Sequence, residues 1–186
     1  DGTGNWDAWP FEMGAPSLKT RNGCDSLDKR GRKIPLLLGD QTLWFVSNDL
    51  DVNKHYEDFS DTAEVLGVEL HTTIFGFSEH EFENMVFFNY KFINKNDAEI
   101  SNCYFMIYSD IDIGNGGDDF FGCDTFLDMG YGYQKTADEY WGKAPPAVGW
   151  QFLQGPRAVC SRELAVAFGR NWHDFKNLHA TAFITL

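Results

Sequence analysis

The sequence predicts an all-β protein: an antiparallel β-sandwich, immunoglobulin-like or jelly-roll-like, with long Asp/Gly-rich loops and little helix. Three observations predict it. Apolar residues alternate with period two over long stretches. β-Branched and aromatic residues dominate those stretches, with 17 Phe, 7 Tyr and 6 Trp in the chain. Segments rich in Gly and Asp separate them. At 186 residues and 43% hydrophobic, the chain has material for one domain with a sizeable core.

Residues 1–40 hold scattered Gly, Pro and charge and read as a loop-rich N-terminal arm or edge. Residues 41–186 read as the β-sandwich module, one domain. Its first strands are "QTLWFVS" (41–47) and "VELHTTIFGF" (68–77). The clearest alternation follows in "NMVFFNYKFIN". Met85, Phe87, Asn89, Lys91 and Ile93 fall on one side, and Val86, Phe88, Tyr90 and Phe92 form a wholly apolar face on the other. After the polar turn "NKNDAEIS" comes "NCYFMIYSD", apolar on both faces, which predicts a central strand and a hairpin with its predecessor. "VGWQFLQ" (148–154), "RAVCSR" (157–162) and "ATAFITL" (180–186) complete the set. "SRELAVAFG" and "HDFKNLH" leave room only for a helical turn or two. The chain opens on Asp1, without Met or signal segment, and closes on a strand-like run, which reads as a piece of a longer protein.

Charge narrows the partners. A net charge of -13 and a pI near 4.6 repel nucleic acid and anionic lipid, and attract cations. No apolar run approaches the roughly 18 residues of a membrane-spanning helix. The four cysteines Cys24, Cys103, Cys123 and Cys160 form no CxxC pair, which disfavours structural zinc. An even count permits disulfides, with three connectivities if all four pair. Cys103, in a predicted strand, also reads as a free buried thiol.

Between Lys95 and Lys135 stand eight acids and no Lys or Arg: Asp97, Glu99, Asp110, Asp112, Asp118, Asp119, Asp124 and Asp128. Local ion pairs cannot neutralise this segment. Ca²⁺ can, because it takes six to eight oxygens from carboxylates, carbonyls and water. Asp110 and Asp112 start on one face of a strand end. Gly114, Gly116 and Gly117 let the chain fold back, and Asp118 and Asp119 return two more carboxylates. Asp124 is a fifth ligand or stands just behind the ligands. The loop is not an EF-hand: its fifth, sixth and twelfth positions are Gly114, Asn115 and Phe121, without the bidentate Glu. Asn48, Asp49 and Asp51 form a smaller oxygen cluster. It either adds to a cation site or is an Asx-rich turn.

No catalytic signature accompanies these acids. There is no HExxH, no GxSxG and no glutamate pair with a readable separation, so no enzyme is expected. The tryptophans Trp6, Trp9, Trp44, Trp141, Trp150 and Trp172 offer a second reading, a platform that stacks on sugar rings. Trp44 and Trp150 lie in strand patterns and read as core, whereas Trp141 in "EYWGKAPPAVG" is the best exposed candidate. On that reading the chain is a carbohydrate-binding module of a secreted multidomain hydrolase, with a glycan as ligand.

Taken in order, "LGDQTLWFVSNDLD", "NMVFFNYKFINKN", "YSDIDIGNGGDDFFGCDT", "GYGYQ" and "KAPPAVGWQFLQGP" resemble a β-rich module of large secreted Bacteroidetes-type surface proteins, those that carry a type nine secretion sorting domain. The resemblance runs from about Trp9 to Pro156. It implies export, an extracellular or cell-surface location, and neighbouring domains, other surface proteins or self-assembly as partners. It implies no enzymatic activity. The aspartate motif of these modules falls on Asp110, Asp112, Asp118, Asp119 and Asp124. Tyr133-Gln134 departs from the usual Tyr-Asn, and no sorting tail is present. The expectation is therefore an exported, calcium-stabilised β-sandwich module with a structural or adhesive role.

Overall fold

The computed structural model describes residues 6–54, 64–143, 145–167 and 169–184. The architecture is all-β and sandwich-like, built of open antiparallel sheets with short 3-10 turns. The chain divides into two compact units, Asp1–Tyr104 and Phe105–Leu186.

In the first unit, β1 (Gln41–Asn48), β2 (Val68–Gly76) and β3 (Val86–Asn94) form a sheet in the order β1-β2-β3. The alternation seen in the sequence sets the register. Trp44 lies opposite Thr73, and Phe75 lies opposite Phe87 with their rings stacked at 5.1 Å. As the central strand, β2 buries His71, Thr72 and Thr73. Trp44 meets the His71 ring edge-on at 5.3 Å and is the one large aromatic among the buried apolar side chains described, with Ala15, Ile113 and Ala165.

The arm is more ordered than its composition suggests. Bridges join Ser17 to Pro35, Lys19 to Asp25 and Leu27 to Lys33. Backbone bonds from Leu18 N to Ile34 O (2.8 Å) and from Leu36 N to Pro16 O (3.0 Å) close the meander. Gly14, at φ 96°, brings the arm onto β2; a Cβ there would stand 2.7 Å from His71 Cε1. A side chain at this position would meet both the strained backbone and the ring.

The other face of this sheet carries buried Thr72 among larger, partly exposed apolar side chains. Leu43 and Phe45 on β1, with Val86, Phe88, Tyr90 and Phe92 on β3, are exposed. The side chains of the wholly apolar face of β3 are thus exposed in part, while Phe87, Asn89 and Ile93 are half-buried.

In the second unit, β4 (Phe120–Asp124), β5 (Met129–Tyr133) and β6 (Ala147–Gln151) form a sheet in the order β4-β5-β6. β7 (Arg157–Ala167) and β8 (Arg170–Asn177) form a hairpin with a register shift between Val159 and Leu164. The first two strands escape a reading by propensity because "FFGCD" and "MGYGY" carry glycines, which weaken isolated strands. Their partners compensate: the Tyr131 ring covers Gly122 directly across the ladder, filling the space a Cβ would take.

Three expectations change. "NCYFMIYSD" forms no strand and no hairpin with β3; Tyr104 (88% exposed) and Met106 (79%) stand in solvent, and Cys103 is exposed rather than buried. Alternation shows that a segment can pair, but it does not supply the neighbour. Residues 161–167 of "SRELAVAFG" lie in β7 and residues 173–177 of "HDFKNLH" lie in β8, not in helical turns, and residue 168 is outside the described set. Isolated helices this short are marginal, whereas here each segment gains a ladder partner. The described part of "ATAFITL" (180–184) lies outside any strand, and residues 185 and 186 are outside the described set. Its approach to the sheet is held by Asp128, at φ 51°, whose carboxylate meets His179 Nδ1 at 2.6 Å and accepts from Ala180 N at 3.2 Å.

Candidate metal centre

Ile113, 3% exposed, anchors the acidic loop. Its N–H donates to Asp119 Oδ2 at 2.8 Å, so the two ends of the loop close on each other. Between them the chain turns back at Gly114 (φ 73°) and enters a short 3-10 turn, Gly116–Asp118. Asn115 caps that turn, its Oδ1 accepting from Gly117 N at 3.3 Å. The fold-back that the glycines promise is therefore present.

The carboxylates divide by what they already bind. Asp119 uses Oδ2 for Ile113, while its Oδ1 is buried and has no hydrogen-bond partner. Asp118 accepts from Gln134 Nε2 at 2.8 Å through Oδ1. Asp112 is exposed and lies against Gly116, where an added Cβ would stand 2.0 Å from its Oδ1. Asp110 is also exposed. Asp124 Oδ1 accepts from Phe126 N (2.9 Å) and Leu127 N (3.0 Å), an Asx turn that shapes the β4–β5 connection.

Asp49 and Asp51 belong to the first unit and do local work. Asp49 accepts from Leu66 N at 2.5 Å and Val68 N at 2.8 Å, tying the end of β1 to the start of β2. Asp51 accepts from Asn53 N at 3.1 Å and Lys54 N at 3.4 Å. Asp51 follows the Asx-turn pattern, whereas Asp49 bonds N–H groups 17 and 19 residues further along the chain.

Sequence reasoning misses Asp138. It is 6% exposed, and Oδ1 accepts from Tyr140 N (2.7 Å) and Trp141 N (2.8 Å), while Oδ2 accepts from Asn115 N (3.3 Å). One carboxylate thus joins the acidic loop to the turn 138–142. Burial pushes its carboxyl up, but the N–H groups of Trp141, Tyr140, Asn115 and Glu139 outweigh that and hold it below the ordinary value. The available signal was "DEYWG", an Asp followed within four residues by a Gly, which is a turn pattern.

Among the described residues, no three His, Cys, Asp or Glu side chains converge closely enough to hold a metal. The loop does fit a hard cation in donor chemistry. Its ligand atoms are all oxygen, and Asp119 Oδ1 is a buried carboxylate oxygen without a donor. All four cysteines are free thiols: Cys24, Cys103 and Cys123 exposed, Cys160 half-buried. Compared with protein-family models, curated proteins and solved structures, the chain matches none.

Proposed function

We propose that this chain is an exported, calcium-stabilised β module with a structural or adhesive role in a larger cell-surface or extracellular protein or assembly. The observation that carries the cation is Asp119 Oδ1. A buried carboxylate oxygen with no hydrogen bond is costly, and a cation relieves the cost. Asp110, Asp112 and Asp118 do not converge on it in the described fold and would supply further oxygens once the loop closes around the ion. Asp124 is the fifth carboxylate of the segment, with Oδ1 engaged in its Asx turn.

The adhesive role rests on exposed apolar side chains of the first sheet. Leu43, Phe45 and Tyr90 share one face of that sheet and are exposed, an apolar surface of the kind a partner covers. Extracellular calcium sites bind at about 10⁻⁴ to 10⁻³ M, so the ion would act as a permanent brace rather than a signal.

Thermal unfolding of the whole chain in EDTA and in millimolar Ca²⁺ tests the reading. Free Ca²⁺ at ten times its dissociation constant adds about 1.4 kcal/mol and raises the midpoint. Asp112→Ala and Asp119→Ala should abolish that response. Identical midpoints in EDTA and Ca²⁺, with no metal found by elemental analysis, would refute the cation.

A further inference from the structure

A cavity of about 210 Å³ in the first unit is lined by Trp6, Asp7, Trp9, Phe11, Arg32 and Lys33. We propose that it binds one ring of a neutral hexopyranose chain, through stacking on the tryptophans and hydroxyl contacts to Arg32 and Asp7. This site is separate from the acidic loop and does not rest on the calcium reading.

Size comes first. Sites for drug-sized ligands run to about 300–1,000 Å³, so this cavity takes a single ring rather than a whole extended ligand. The aromatic walls are fixed by the backbone. Trp9 N donates to Trp6 O at 3.2 Å, and Phe11 N donates to Trp9 O at 2.9 Å. The Trp9 indole N–H already donates to Pro16 O at 3.0 Å, so Trp9 offers its ring face and not a donor. A rigid aromatic face matches the C–H face of a pyranose.

Charge then selects among ring-shaped ligands. Both bases in the wall are paired to carboxylates. Arg32 pairs with Asp7 through Nη1, and with Asp28 through Nε at 2.9 Å. Lys33 pairs with Asp25 at 3.0 Å and sits 5.8 Å from the centre of the Phe11 ring. Asp25 also pairs with Lys19, so among the described residues three bases (Arg32, Lys33 and Lys19) face three carboxylates (Asp7, Asp25 and Asp28), and the paired cluster has no net charge with which to draw an anion. A guanidinium has five N–H donors, and partners among the described residues engage two of them. The spare donors and the Asp7 carboxylate can serve hydroxyl groups of either hydrogen-bonding sense. A bare phenyl ring would stack equally well but would leave these groups unpaired.

The test is calorimetric titration of the whole chain with neutral oligomers of glucose, mannose and galactose, and with a galacturonate oligomer. The titrations are repeated in EDTA. At least one neutral oligomer should bind, the uronate should bind more weakly, and EDTA should change neither result. Trp6→Ala should weaken binding about tenfold or more through loss of a stacking face, and Asp7→Ala should weaken it by a smaller factor. Both side chains are exposed enough to be replaced without loss of the fold, which the melting midpoint checks. Trp141→Ala should leave the affinity unchanged. The proposal is overturned if no neutral oligomer binds, if the uronate binds more tightly, or if Trp141→Ala and not Trp6→Ala removes binding.

Discussion

Gly114 and Gly142 allow the acidic loop to be tested against an internal standard. Both are in the left-handed region, at φ 73° and 74°, and both lie in the second unit. Alanine at either position costs about 1–2 kcal/mol of backbone strain. Their surroundings differ. A Cβ on Gly142 meets nothing within 4 Å, whereas one on Gly114 would stand 2.2 Å from Asp138 Oδ2 and 2.3 Å from Oδ1. That carboxylate is buried and held by three backbone N–H groups, so it cannot swing aside without breaking them. Overpacking of this kind adds about 1–3 kcal/mol. Gly114→Ala should therefore destabilise by about 2–5 kcal/mol and Gly142→Ala by about 1–2 kcal/mol. With a urea dependence of about 1–3 kcal/mol per molar, the two unfolding midpoints should differ by about 1 M. Both variants would be unfolded in urea with EDTA present, followed by circular dichroism. Equal midpoints would refute the claim that Asp138 rigidly couples the loop to the turn at 138–142.

Gly116→Ala presses on Asp112, whose exposed side chain can rotate away, so stability in EDTA should change by less than about 0.5 kcal/mol, while the rise in melting midpoint on adding Ca²⁺ should shrink. Trp44→Ala removes the one large aromatic buried in the first unit and should cost about 3–5 kcal/mol in urea unfolding. Acid titration of the melting midpoint reads the carboxylates whose folded values are depressed: Asp138 by backbone N–H donors that outweigh its burial, Asp28 chiefly by Arg32, Asp40 by Ser78 and Glu69 chiefly by His71. The unfolded chain binds protons first, so this stability is complete above the ordinary values of 3.8 and 4.5 and falls as pH drops through the lower folded values. A midpoint flat from pH 7 to 5 that declines below pH 4 is expected; one that rises below pH 4 would contradict it.

Where the structure bears out the sequence, the information is local. β1, β2 and β3 fall within a residue or two of their expected positions, because period two and β-branched or aromatic content belong to the segment itself. The loop's fold-back at Gly114 and the turn Gly116–Asp118 were legible for the same reason, since glycine's conformational freedom needs no distant partner. The seven aspartates were legible as residues but not in their roles. Asp49, Asp51 and Asp124 bond backbone N–H groups near them in the fold, and only the folded loop leaves one oxygen of Asp119 buried and unpaired.

Composition and alternation by themselves determined the class of the protein, its principal strands and its acidic, glycine-rich loop. Tertiary structure alone decided that "NCYFMIYSD" forms no strand, that glycine-bearing β4 and β5 form strands, that Phe88, Tyr90 and Phe92 of β3 are exposed, and that Asp138 binds the loop. Each of those outcomes depends on a hydrogen-bond or packing partner distant in sequence. Periodicity records what a segment prefers; it carries no record of which neighbour arrives to satisfy it.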